Sequence, residues 1–158
     1  MRACISIVAL VAGTALLAPP LAAFSLSDLE GRWRGEGVLA LEGEPPQRFR
    51  CQIRFRDSAR ERSVFSGRCA TAQGGQSFVY MLQPLPEGRI HAENRAEPPH
   101  ELPDEMQGSI GDGVLRFEAE GEALFELRLE GELMRFRVES QRGETRGNGE
   151  VSLRLMDD

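Results

Sequence analysis

Gln47–Asp57 reads QRFRCQIRFRD, an unbroken alternation. Phe49, Cys51, Ile53 and Phe55 fall on one side; Arg48, Arg50, Gln52, Arg54 and Arg56 fall on the other. Period two with one apolar and one basic face describes a half-buried β-strand. Ser63–Thr71, SVFSGRCAT, is its natural antiparallel partner. Placing Cys51 opposite Cys69 also places Phe55 opposite Phe65 and Ile53 opposite Gly67, with the turn over Asp57–Ser63. An aromatic cross-strand pair favours that register, so the hydrophobic pattern and the cysteines specify the same hairpin.

The alternation continues on both sides. Trp33, Gly35, Gly37, Leu39 and Leu41 share one face of a first strand. Ser77–Leu82 is apolar on both faces, and Arg89–Asn94 and Met106–Ile110 are weaker strands. Val114–Glu120 directs Leu115, Phe117 and Ala119 inward; Ala123–Glu130 does so with Phe125, Leu127 and Leu129. Leu133–Ser140 contributes Met134, Phe136 and Val138, and Val151–Met156 contributes Val151, Leu153 and Leu155. Gly111-Asp112-Gly113, Gly121-Glu122, Gly131-Glu132 and Gly147-Asn148-Gly149 supply the turns, with the residue types tight hairpins require. Ser27-Asp28-Leu29-Glu30 has the form of a capping box, which predicts one short helical turn before the first strand. Glu97–Glu105, EPPHELPDE, reads as the longest surface loop. The fold expected is all-β: an antiparallel up-and-down meander of about 8–10 strands closed into a barrel, which removes sheet edges.

The chain has 158 residues, 41% of them hydrophobic and 28% charged, which fits one domain with a real core. Arg2 followed by the apolar run Ile5–Leu17, Pro19-Pro20 and Leu21-Ala22-Ala23 has the form of a secretory signal peptide. The expected organisation is a cleaved signal over 1–23 and a β-barrel domain over 24–158, with no transmembrane segment after cleavage. Cys4 precedes the apolar run, where a lipoprotein signal would place its cysteine after it. Cys51 and Cys69 are then the only mature cysteines and read as one disulfide of an exported protein; a zinc half-site, which wants four ligands, is disfavoured. All 19 basic residues are arginine, as in a protein from a GC-rich genome. With the signal, this points to the periplasm of a Gram-negative bacterium, or to secretion.

Gly31-Arg32-Trp33, opening the first strand after a capped turn, resembles the Gly-x-Trp opening of the lipocalin and wider calycin barrels. The resemblance implies a Trp packed near the closed end with a basic residue of the last strand across it. Arg154 is the positional candidate, although alternation sets it on the face opposite Val151, Leu153 and Leu155. The wider pattern, Trp33-x-Gly35-x-Gly37 with Cys51 and Gly67-x-Cys69, is similar to small exported alphaproteobacterial proteins of uncharacterised function. It covers mainly residues 31–71 and implies architecture, not activity.

The net charge of −6 disfavours nucleic acid as a partner. There is no phosphate loop, CxxC, HExxH or nucleophile-elbow motif, and neither a cofactor nor a metal is expected. His91 and His100, near Glu93, Glu97 and Glu101, lack a ligand spacing on a strand or helix. Glu118 with Glu120, and Glu126 with Glu130, lie on wet faces, whereas a hydrolytic pair needs one acid in a partly buried site. No catalytic residue is assigned, and an enzyme of unknown class is the weakest reading.

Two candidate sites remain. Trp33, Phe49, Phe55, Phe65, Phe117, Phe125 and Phe136 point inward, and a barrel of this size is either filled by side chains or holds one small ligand. The first functional expectation is therefore a non-catalytic barrel binding a small apolar ligand. The second is an interaction or anion-binding module built on Arg32, Arg34, Arg48, Arg50, Arg54, Arg56 and Arg68. Residues 48–68 carry seven arginines against two acids, whereas 87–158 carry nine against eighteen, so charge is polarised along the chain.

Overall fold

The computed structural model describes residues 23–98 and 101–157, apart from the side chain of Arg142. The proposed signal peptide falls outside these residues, except for Ala23 at its end, and so does His100. Ten strands run in chain order: β1 (Gly31–Leu41), β2 (Gln47–Ser58), β3 (Arg62–Thr71), β4 (Gly74–Leu85), β5 (Arg89–Asn94), β6 (Glu105–Gly111), β7 (Val114–Ala119), β8 (Ala123–Glu130), β9 (Leu133–Arg142) and β10 (Thr145–Leu155). Each pairs antiparallel with its sequence neighbours, and β1 pairs with β10 to close the barrel. Ten strands are two more than a lipocalin barrel has.

The β2–β3 register is the one the sequence specifies: Cys51 faces Cys69, Ile53 faces Gly67 and Phe55 faces Phe65. Cys51 and Cys69 form a disulfide. The turn is tighter than expected, since Asp57 still pairs with Ser63 and Ser58 with Arg62.

Four local readings need correction. The turn before β1 is a 3-10 helix, Leu26–Leu29, and its capping pair is Ser25 with Asp28, two residues earlier than the Ser27–Glu30 pattern suggests. The Asp28 carboxylate accepts from the Ser25 N–H at 2.7 Å. Gly147-Asn148-Gly149 is not a turn; these residues pair with Leu39–Leu41 inside β10, and the chain reverses at Gly143, which takes φ 59°. Gly147 and Gly149 instead make room for inward side chains: a Cβ there would meet Leu41 Cδ2 at 2.8 Å and Phe49 Cε1 at 2.6 Å. Leu155 lies past the core, 52% exposed at the barrel end. Finally, the Glu97–Glu105 segment is not purely a surface loop, because its residues 101–104 return to the barrel and are tied to it, as described below.

Gly35 and Gly37 face the backbone of β10 so closely that a Cβ on either would collide with the carbonyl oxygens of Ser152 and Glu150. The Trp33-x-Gly35-x-Gly37 pattern thus lets β1 and β10 approach where the barrel closes.

Candidate functional site

Alternation sends one side chain in two to the interior, and the interior is divided. At one end, Leu26, Leu29 and Trp33 are buried and close the barrel. Trp33 Nε1 donates to the Leu29 carbonyl at 2.8 Å, tying the strand to the 3-10 turn. Arg154 does not lie across this indole; it is exposed on the outer face, opposite Arg34.

Above this closure sits an aromatic plug. Phe55, Phe65, Phe117, Phe125 and Phe136 are each at most 2% exposed. The Phe65 ring centroid lies 4.8 Å from that of Phe55, 4.9 Å from Phe78, 5.7 Å from Phe117 and Phe125, and 6.3 Å from Phe136. These separations suit offset and edge-to-face aromatic contacts. Phe78 and Tyr80 belong to this group although the sequence did not single them out. Their segment is apolar on both faces, so alternation gave no side; the signal that could have found them is the pairing of β4 with β3, which sets Phe78 opposite Gly67 and Tyr80 opposite Phe65.

Beyond the plug the barrel opens into a cup of about 590 Å³. Phe49, Phe78, Phe125 and Phe136 form its floor, Leu39 and Val138 its lower wall, and Gln47, Gln73, Gln76, Gln141, Glu101 and Glu122 its polar upper part. This is the end where the β1–β2, β3–β4, β7–β8 and β9–β10 turns lie. Leu102 and Pro103 of the loop between β5 and β6 also line the cup. Tyr80 Oη donates to the Pro103 carbonyl at 2.8 Å and Asn94 Nδ2 to the Leu102 carbonyl at 3.3 Å. The Asn94 N–H donates to the Asp104 carbonyl at 2.8 Å. Burial, and secondarily the Asp104 carboxylate, push the Tyr80 hydroxyl above the usual tyrosine range.

The arginines separate into two kinds. Arg48 and Arg50 both pair with Glu36, at 3.3 and 2.9 Å. Arg34, Arg54, Arg56 and Arg68 form no ion pair among the described residues. Arg32 faces Arg54 directly across β1 and β2, and Gln52 faces Arg68 across β2 and β3.

The remaining candidates are not brought into a constellation. His91 Nδ1 lies 3.0 Å from Gln107 Nε2, and among the described residues no group of three or more His, Cys, Asp or Glu side chains is placed to hold a metal. Glu118 and Glu126 both pair with Arg116, and Glu130 pairs with Arg135; Glu120 is exposed. Among the described residues no helix is long and apolar enough to cross a membrane.

No protein-family model and no curated protein matches the chain. Among solved structures, the barrel is similar to a protein of unknown function from the DUF3598 family of Nostoc punctiforme, with TM-score 0.60 and 17% identity over 92% of this chain and 53% of that one. It also matches Rv2717c from M. tuberculosis, with TM-score 0.49 and 15% identity over 84% of this chain and 95% of that one. The chain spans about half the length of the Nostoc protein. At such low identity the Nostoc likeness is one of fold: this chain is a closed, disulfide-bearing antiparallel β-barrel distantly similar to a protein of unknown function.

Proposed function

We propose that the protein is an exported, non-catalytic carrier of lipocalin-like type that holds a small apolar ligand in the open half of its barrel. The observation that carries this reading is the cup: about 590 Å³ with a floor of four phenylalanines and a polar upper part. Its size lies within the range of small-molecule sites, and an apolar body with a few polar groups at one end is their usual composition. The Gly31-Arg32-Trp33 opening and the Trp33–Leu29 closure support the calycin-type comparison. Export to the periplasm is supported by the signal-like segment before Phe24 and by the Cys51–Cys69 disulfide, which suits an oxidising compartment.

The test is native mass spectrometry of protein purified from its own exported fraction, followed by titration with the neutral dye Nile red. The expected result is an extra mass lost on denaturation, one equivalent of dye bound, and loss of dye binding in Val138→Trp, which fills the cup wall. A bare mass, or dye bound equally by a folded Val138→Trp variant, would overturn the reading.

A further inference from the structure

The outer wall of β1, β2, β3 and β10 places arginines against arginines. Across one row of the sheet, Arg154 faces Arg34, Arg34 faces Gln52, and Gln52 faces Arg68. In the adjoining row Arg32 faces Arg54, which faces Ser66. Directly opposed side chains on one face of an antiparallel pair lie about 5 Å apart at Cβ, and like charges there destabilise the sheet. The acid nearest in the sheet, Glu36, stands in the next row and is engaged by Arg48 and Arg50. Arg34, Arg54, Arg68 and Arg154 form no ion pair among the described residues.

Arginine also faces arginine at Arg128 and Arg135 across β8 and β9, but there Arg135 is neutralised by two acids. On the wall of β7 to β10, Arg116 pairs with Glu118 and Glu126, Arg135 with Glu130 and Glu150, and Arg137 with Glu139. The opposed arginines also border a cleft. A depression of about 320 Å³ is lined by Arg32, Arg34, Arg54, Gln52, Ser66 and Trp33, with Asp157 as the acid among its described lining residues.

We infer that this cleft is an oxyanion-binding site, and that the group it takes is a phosphate, free or carried on a lipid headgroup. Guanidinium groups present planar pairs of N–H donors that match phosphate oxygens, and two of them converging on one anion turn mutual repulsion into attraction. Gln52 and Ser66 add neutral hydrogen-bonding groups between the charges. The site lies outside the barrel, so it does not depend on the cup reading.

The site is read by Trp33, the one tryptophan of the chain, which lines the cleft. Titrating the mature protein with inorganic phosphate should give a saturable change in Trp33 emission that weakens with added sodium chloride. Arg34→Gln and Arg54→Gln should each weaken phosphate about tenfold or more, the loss expected for one charge-assisted hydrogen bond. Neither should lower the melting temperature of the phosphate-free protein, because neither Arg34 nor Arg54 forms an ion pair among the described residues. Arg135→Gln on the paired wall should leave phosphate affinity unchanged. Sedimentation with phosphatidylglycerol vesicles, against phosphatidylcholine vesicles, separates the sources. Anionic vesicles bound and released by phosphate identify a headgroup, whereas phosphate bound without vesicle binding identifies a soluble anion. Binding of neither probe, or phosphate binding unchanged in the Arg34→Gln, Arg54→Gln double variant, would overturn the proposal.

Discussion

Phe65 and Phe49 stand on neighbouring strands and both point into the barrel, yet their surroundings differ completely. Phe65 is fully buried, with five other phenylalanine rings within 6.3 Å. Phe49 lines the floor of the cup and meets open space on one side. The closed half of the interior is packed by its own rings, whereas the open half is a hollow of about 590 Å³. The difference follows from what the neighbouring strands supply at each level. Around Phe65 they supply rings from β2, β4, β7, β8 and β9. Around Phe49 β10 supplies Gly149 and β1 supplies Gly37. Aromatic packing is thereby concentrated at one end of the interior, and the proposed ligand would occupy the other.

Single substitutions can break or sharpen that division. The largest effect is expected for Phe65→Ala, about 3–5 kcal/mol, as for large-to-small changes in a tightly packed core. Phe49→Ala should cost clearly less in the same urea titration while abolishing Nile red binding. Equal losses at the two positions would erase the distinction between plug and cup. Next comes the staple. Cys51→Ser combined with Cys69→Ser should cost about 3 kcal/mol for a loop with a sequence separation of 18, measured by denaturant midpoint. Thiol labelling of the native protein should find neither cysteine.

Tyr80 joins the two halves, since its ring packs against Phe117 and Phe125 while its hydroxyl holds the Pro103 carbonyl of the loop over the cup. Tyr80→Phe should cost about 1–2 kcal/mol by leaving that carbonyl without its donor. It should also remove a pH dependence. The folded hydroxyl is raised above the ordinary tyrosine value, so its contribution is fully present below about pH 10. It is lost as the pH rises further and the unfolded chain ionises while the folded chain does not. Tyr80 is the sole tyrosine, so phenolate absorbance follows this group alone. The smallest effect belongs to the closed end. Trp33→Phe removes the hydrogen bond to Leu29 and should cost about 1 kcal/mol, with no change in dye binding at the far end of the barrel.

Much of this was legible in the sequence for a physical reason. In β2 the two faces differ as sharply as Phe from Arg, so alternation fixed the faces, and Cys51 and Cys69 then fixed the register. Where the contrast was missing, so was the reading. Phe78, Val79, Tyr80, Met81 and Leu82 offer no polar face, so two plug and floor residues went unassigned. Gly147-Asn148-Gly149 has the composition of a turn; only the bulk of Leu41 and Phe49 on neighbouring strands shows why glycine sits inside β10. The return of residues 101–104 depends on Tyr80 of β4 reaching the Pro103 carbonyl, a contact with no local signature. The arginine wall was visible as a stripe, but the opposition of Arg154 to Arg34 exists only once the barrel closes.

That closure has a consequence in time. Every strand pairing except one joins neighbours in the chain, and such hairpins form quickly from local contacts. The exception, β1 with β10, joins Trp33 to Leu155, the two extremes of the sheet. Until it forms, the molecule is a curled ribbon with two bare edges, each able to pair with another chain. The seam therefore sets the interval during which the folding protein is exposed to aggregation. The two glycines that let β1 and β10 approach, Gly35 and Gly37, act on how long that interval lasts as well as on the shape of the finished barrel.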